Sequence, residues 1–315
     1  MIACSGGCLA RRLVVVAAAA LMFVVVLPAC KRKAPAVDPG YLVDLEKWRV
    51  ERLAELTSEN GWLSVVGLSW LHPGENRFGS DAGNEVVLPG KGTPALAGTI
   101  ELRQDGAVLL HPRSGTGVTV GGSPATERVL ASDRTGKPDV VAVGSVRFYL
   151  IERGGKLAVR VKDPHSVRRV GFGGIRYFSV DTAYRVEGAL ERYPSPREVA
   201  VATVQGPEQK MLAPGIVRFQ LGGRSLALEP FVSSPDDTSF FFVFRDATSG
   251  SETYGAGRFL DAPAPEPGST RVVLDFNRAY SPPCAFTPYA TCPLPPRQNE
   301  LPVRIEAGEK FSGAH

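Results

Sequence analysis

Three times along the chain a Gly-Gly or Asp-Gly pair separates two short runs rich in β-branched and aliphatic residues. Asp105-Gly106 lies between Thr99–Leu102 and Val108–His111, and Gly154-Gly155 between Val146–Glu152 and Lys156–Val161. Gly222-Gly223 lies between Ile216–Leu221 and Arg224–Leu228. A two-residue hairpin turn needs positive φ, which glycine adopts at no steric cost, so each pair predicts an antiparallel hairpin. Further strands are expected at Tyr184–Glu191, Phe240–Arg245, Glu252–Leu260 and Val272–Asn277. With 34 glycines and 26 prolines in 315 residues, turns are frequent without reaching low complexity. The expected fold is mainly β, as two antiparallel β-sandwich or barrel-like domains with one N-terminal amphipathic helix.

That helix is read over Tyr41–Leu56. Asp38 caps it, Pro39 suits its first turn, and Asn60-Gly61 stops it. Leu42, Leu45, Trp48, Leu53 and Leu56 form its apolar stripe, while Asp44, Lys47, Glu51 and Glu55 face water. Its expected role is packing against a sheet. A soft boundary near residues 162–180 separates a domain over 40–165 from one over 166–315.

Residues 1–29 read as an export signal. Arg11 and Arg12 precede an apolar run from Leu13 to Leu27, and Leu27-Pro28-Ala29-Cys30 resembles a bacterial lipobox. As a helix that run spans about 22 Å, short of the roughly 30 Å hydrocarbon core, which favours a cleaved signal over an uncleaved anchor. The expected product is a lipoprotein acylated on Cys30. Residues 30–39 would form a tether, with Lys31-Arg32-Lys33 beside the lipid headgroups. The membrane is thus an expected partner through this lipid, and the compartment is the bacterial cell envelope, on the periplasmic side of the inner or outer membrane. Removing the signal and acylating Cys30 leaves Cys284 and Cys292, an even pair in an oxidising compartment, which favours a disulfide.

Composition excludes several classes. At 43% hydrophobic and 22% charged residues the chain is neither disordered nor a multi-span membrane protein. A net charge of +4 with no basic cluster outside the N-terminus speaks against a nucleic-acid partner. His72, His111, His165 and His315 are scattered, and two cysteines alone lack the pair-of-pairs spacing of zinc sites, so no metal or cofactor is expected. No nucleophile elbow, Walker loop or dinucleotide fingerprint appears.

Two resemblances go further. Gly79-Ser80, Asn84, Val86, Leu88 and Val120-Gly121-Gly122 follow the outline of a forkhead-associated domain over 61–122. Ser80 stands where that family's phosphate-binding arginine would be, and Ala97-Gly98-Thr99 lacks its serine and histidine. The resemblance therefore implies a similar sandwich without phosphopeptide binding. The second covers residues 41–313 and rests on Trp62-Leu63, Gly67-Leu68, Trp70-Leu71, Gly74-Glu75-Asn76 and Val161-Lys162-Asp163. It continues through 244–250, 252–259, Asp275-Phe276-Asn277, Ala279-Tyr280 and the Pro- and Cys-containing stretch 282–295. These residues resemble a bacterial family known only as domain of unknown function 1684 (DUF1684), which implies no activity.

Candidate chemistry is read from strand alternation. On Glu252–Leu260 the residues Glu252, Tyr254, Ala256 and Arg258 would share a face, and on Val272–Asn277 so would Asp275 and Asn277. Asp246 stands at a strand end. Asp246, Glu252 and Asp275 are candidate catalytic carboxylates, since a pair with split pKa values can act as acid and base. Arg245, Tyr254, Arg258, Asn277 and Tyr289 are candidate ligand contacts. A solvated sheet face with cross-strand ion pairs is the plainer reading of the same residues. The proline-rich segment 282–296 can be neither helix nor central strand. It reads as a lobe over that face or as a structural clip. The preferred function is binding of a small ligand or envelope component through the C-terminal domain. An envelope hydrolase and a structural adaptor without a ligand site are the alternatives.

Overall fold

The computed structural model describes Met1 and residues 37–311. The export signal, Cys30 and most of the 30–39 tether lie outside the described residues. Contacts divide the chain into Met1–Ala36 and Val37–His315, and every element below belongs to the second unit.

Helix α1 runs over Pro39–Thr57, capped by Asp38, whose carboxylate accepts from the Gly40 amide at 3.1 Å. Its buried face is not the leucine stripe expected from sequence. Leu45 and Leu56 are buried, but Leu42 and Leu53 are 40% and 38% exposed. The covered face is instead Tyr41, Leu45, Trp48, Arg49, Arg52 and Leu56, a clean 3.6-residue repeat that includes two arginines. The helix ends at Thr57 with Ser58 as its cap, before Asn60-Gly61.

The three expected hairpins are present. Gly154 and Gly155 have φ of +53° and +75°, and Gly222 and Gly223 have +57° and +76°. Positive φ at both central residues is what a type I′ turn requires. A six-stranded antiparallel sheet contains Val65–Trp70, Lys156–Lys162 and Val146–Arg153 as neighbours. A five-stranded sheet carries Gly74–Gly79, Gly98–Leu102 and Val108–Pro112. Phe78, Ile100 and Leu110 of the second sheet meet Phe148, Leu150, Val159 and Val161 of the first in one apolar core. The rings of Phe78 and Phe148 lie 5.3 Å apart, edge to face. Two sheets closed over a shared core make a sandwich.

The later half builds a four-stranded sheet ordered Arg224–Leu228, Gln209–Leu221, Arg185–Val201, Arg271–Asp275. The hairpin Ser239–Phe244/Arg258–Pro263 packs on the same core as that sheet through Phe240, Phe242, Phe244 and Leu260. The register of Arg185–Val201 breaks between Arg192 and Arg197, where Pro194 and Pro196 remove two amide donors. A third cluster, with Val201, Phe231, Val243, Phe259, Cys284 and Cys292, lies under the proline-rich segment. The fold is thus mainly β, with several antiparallel sheets, one long N-terminal helix and no closed barrel among the described residues. No described helix is long and apolar enough to cross a membrane.

Candidate functional site

Two expected strands are shorter than their sequence implies, and this rearranges the candidate residues. The strand expected over Glu252–Leu260 begins only at Arg258. Before it, Thr248 and Asp246 tie up the local backbone: the Thr248 hydroxyl donates to Asp246, and the Thr248 carbonyl accepts from Ser251, Glu252 and Thr253. Side chains that bond their own backbone compete with a ladder. Gly257 turns the chain at φ +101°, where a Cβ would meet the Phe244 carbonyl at 2.5 Å. Glu252, Tyr254 and Arg258 therefore share no strand face. Likewise the strand Arg271–Asp275 stops two residues early, because Asp275 accepts from the Asn277 amide and caps a short 3-10 turn over Phe276–Arg278.

The candidates fall into separate places. Asp246 and Arg258 form a fully buried ion pair at 3.1 Å. Asp246 also accepts from the Ile305 amide at 2.7 Å, and Arg258 donates to the carbonyls of Ile305 and Ala307. Burial lowers the Arg258 pKa against the pull of Asp246. Glu252 pairs with Arg304 and, at 3.8 Å, with Lys310. Asp275 accepts from the Tyr41 hydroxyl of α1 at 3.0 Å, and Asn277 clasps the backbone of Asp181. Arg245 is exposed, while its backbone bridges to Asn299 and Leu301. Tyr254 donates to the Cys284 carbonyl at 2.9 Å, and Tyr289 lies 5.7 Å under the Arg168 guanidinium. No hydrogen bond or ion pair joins Asp246, Glu252 and Asp275 to one another among the described residues.

The expected disulfide is corrected: Cys284 and Cys292 are both free and buried. The sulfur of Cys292 instead accepts the Cys284 amide at 3.2 Å. The neighbouring Cys284 thiol and then burial push the Cys292 thiol well above its ordinary range. The proline-rich segment is held by other means. Thr287 donates to the Val65 carbonyl at 3.0 Å, and just past the segment Asn299 donates to the carbonyls of Glu229 and Val243.

Sequence reasoning passed over a cleft of about 360 Å³ where α1 meets the hairpin and the start of the proline-rich segment. Trp48, Trp62, Phe241, Phe259 and Tyr280 supply five aromatic rings to it, with Pro283. Several rings are braced edge to face: Phe241 to Phe259 at 4.8 Å, and Phe259 to Tyr280 at 5.8 Å. Glu51 and Glu55 of α1 and Asp261 of the hairpin line the same space, with Arg52 as its one cation. That cation is already engaged. Arg52 pairs with the buried Glu309 at 3.0 Å, donates to the Ser281 carbonyl at 2.9 Å, and lies 4.8 Å over the Tyr280 ring.

The carboxylates are less well compensated. Among the described residues the Asp261 carboxylate accepts only the Tyr280 hydroxyl, at 2.9 Å. Surrounding protein raises its carboxyl above the ordinary range and Glu55 adds to the rise, while Tyr280 and Arg52 oppose it. Glu51 has a loose surface pair with Lys47 at 3.9 Å, worth little in water. Glu55 has no side-chain ion pair among the described residues. The sequence signal for this site was present in α1: Trp48 and Arg52 follow Leu45 at helical spacing, but arginine does not score as apolar.

No curated protein matches the chain significantly. An uncharacterised protein of Haloarcula marismortui, solved by solution NMR, is 35% identical over 45% of this chain and 78% of its own, with a TM-score of 0.38. Two forkhead-associated structures match at 21% identity over 30% of this chain, each with a TM-score of 0.22. One comes from a study of phosphothreonine-dependent FHA domain interactions and is covered over 92% of its length. The other is the FhaA FHA domain complexed with the intracellular domain of Rv3910, covered over 97%. The family model described as protein of unknown function (DUF1684) matches residues 170–310, a stretch that holds the hairpin side of the cleft and the whole proline-rich segment. The chain belongs to that family.

Proposed function

We propose that this protein is an envelope-tethered binding protein whose ligand, a small organic cation, seats in the cleft between α1 and the hairpin. One observation carries the reading: three carboxylates share a cleft of aromatic rings in which the only guanidinium is already paired with a buried glutamate. Aromatic faces attract cations by about 0.5–1 kcal/mol when exposed and about 2 kcal/mol when desolvated. The carboxylates add directional charge. Titration of choline against the fluorescence of Trp48 and Trp62, with glucose and acetate as neutral and anionic comparators, tests this. Choline should bind saturably and Asp261→Asn should weaken it several-fold. Equal binding of glucose or acetate, or no saturable change, would overturn the reading.

The tether supports the envelope assignment. An arginine pair, a short apolar run and a lipobox-like Ala29-Cys30 precede the described residues, and two or more acyl chains on one cysteine anchor stably. Cys30→Ser should move the protein from the membrane fraction to the soluble one. Unchanged membrane association would reject lipidation at this residue.

A further inference from the structure

A second cleft, of about 480 Å³, lies on the other side of the proline-rich segment. Its apolar walls come from Leu63, Val167, Phe172, Ile175, Ala285 and Phe286, and its rim carries Arg168, Arg176 and Lys310. Phe172 and Phe286 meet edge to face at 6.0 Å. Among the described residues neither Arg168 nor Arg176 has a carboxylate partner, and Lys310 has only Glu252 at 3.8 Å. Of the acids nearby, Glu252 stands 3.8 Å from Lys310 and the buried Glu309 is paired with Arg52, so three cations around an apolar cleft leave a positive potential there.

Two further observations point to an occupant. Ser281 lines the cleft, is 1% exposed, and its hydroxyl has no hydrogen-bond partner. Its backbone is fully used, with the amide on Glu309 at 2.7 Å and the carbonyl on Arg52, so only the side chain is left over. A buried polar atom without a partner costs about 1–3 kcal/mol and calls for an explanation. The loop over 171–174 supplies the second. Gly173 has no positive φ, and a Cβ built on it would meet nothing within 4 Å, so neither backbone nor packing requires glycine there. Gly173 and Gly174 donate their amides to no acceptor among the described residues. Open amides, an orphaned hydroxyl and unpaired guanidinium groups are all donors, and together they suit an oxyanion.

We infer that this cleft binds an anionic amphiphile, with a phosphate or carboxylate head on Arg168, Arg176, Lys310 and the Gly173–Gly174 amides and an apolar chain against Phe172, Ile175 and Phe286. The site is distinct from the aromatic cleft and selects the opposite charge. The full chain carrying Cys30→Ser, purified without detergent, is titrated calorimetrically with octyl phosphate, inorganic phosphate and octyl glucoside, each below micelle formation. Octyl phosphate should bind saturably and at least tenfold more tightly than either of the others. The double variant Arg168→Gln/Arg176→Gln, at a half-buried and an exposed position, should weaken it at least tenfold with an unchanged melting temperature, while choline binding persists. Gly173→Val should weaken it as well, by filling the open space. No saturable binding, equal binding of inorganic phosphate or of octyl glucoside, or full affinity in the double variant would each overturn the assignment.

Discussion

Asp261 is the residue on which the proposed recognition turns, because its protonation state is under strain before any ligand arrives. Surrounding protein raises its carboxyl above the ordinary aspartate range, with Glu55 of α1 adding to the rise; the Tyr280 hydroxyl and the Arg52 guanidinium pull it down. A raised folded pKa means that Asp261 favours the folded state most at pH below its unfolded value, and that this contribution is lost as pH rises through the folded pKa. A bound cation reverses the balance by stabilising the ionised form. Choline affinity should therefore rise with pH through a window above the ordinary aspartate range and level off once Asp261 is ionised. In Asp261→Asn that rise should disappear. Isothermal titration at a series of pH values checks this, and a pH-independent affinity in the unsubstituted protein would reject a role for Asp261. Asp246 is placed as a brace. Its carboxylate is held by Arg258, Thr248 and the Ile305 amide, an arrangement that braces the 305–307 backbone.

At the scale of elements, what could be read from sequence divides along a physical line. Hairpins were legible because a Gly-Gly turn is a local requirement: positive φ at 154, 155, 222 and 223 follows from the chain itself. Asp38 and Pro39 likewise fixed the start of α1. The facing of α1 was not legible, since it depends on partners far away in sequence. Arg52 is on the buried side because Glu309 waits there, 257 residues later. Arg49 is there because Tyr177 offers its ring at 4.3 Å. A periodicity count that treats arginine as polar turns the helix toward Leu42 and Leu53, which face solvent. Residues 252–257, expected as the start of a strand, depart from it for a related reason. The alternation of Glu252, Tyr254 and Arg258 resembles a strand, but Thr248 and Asp246 fold the backbone onto itself, and no sequence period reports that competition. The cleft combines residues from α1, the hairpin and the proline-rich segment, so only the fold brings it into view.

At the scale of the whole molecule, the proline-rich segment joins the sheets through hydrogen bonds, with Cys284 and Cys292 both free. Thr287 bonds the Val65 carbonyl at 3.0 Å, and Arg160 reaches Thr291 at 3.4 Å, tying the segment to the six-stranded sheet. Leu294 donates to Ala202, Gln209 donates to the Thr291 carbonyl, and Asn299 just past the segment bonds Glu229 and Val243, tying it to the later sheets. A chain whose apolar cores share such a strap should unfold as one unit rather than as separate halves. Thr287 and Asn299 are both fully buried, so their loss leaves backbone groups without partners. Thr287→Val and Asn299→Ala should each destabilise the protein by about 1–3 kcal/mol or more for each group so orphaned, Asn299→Ala by the larger amount because it serves three. Urea unfolding followed by tryptophan fluorescence and by far-ultraviolet circular dichroism should give coincident midpoints in the unsubstituted chain. In both variants the midpoints should fall, Asn299→Ala further. Two resolved transitions in the unsubstituted chain, or variants that leave the midpoint unmoved, would mean that the segment decorates the sheets without joining them.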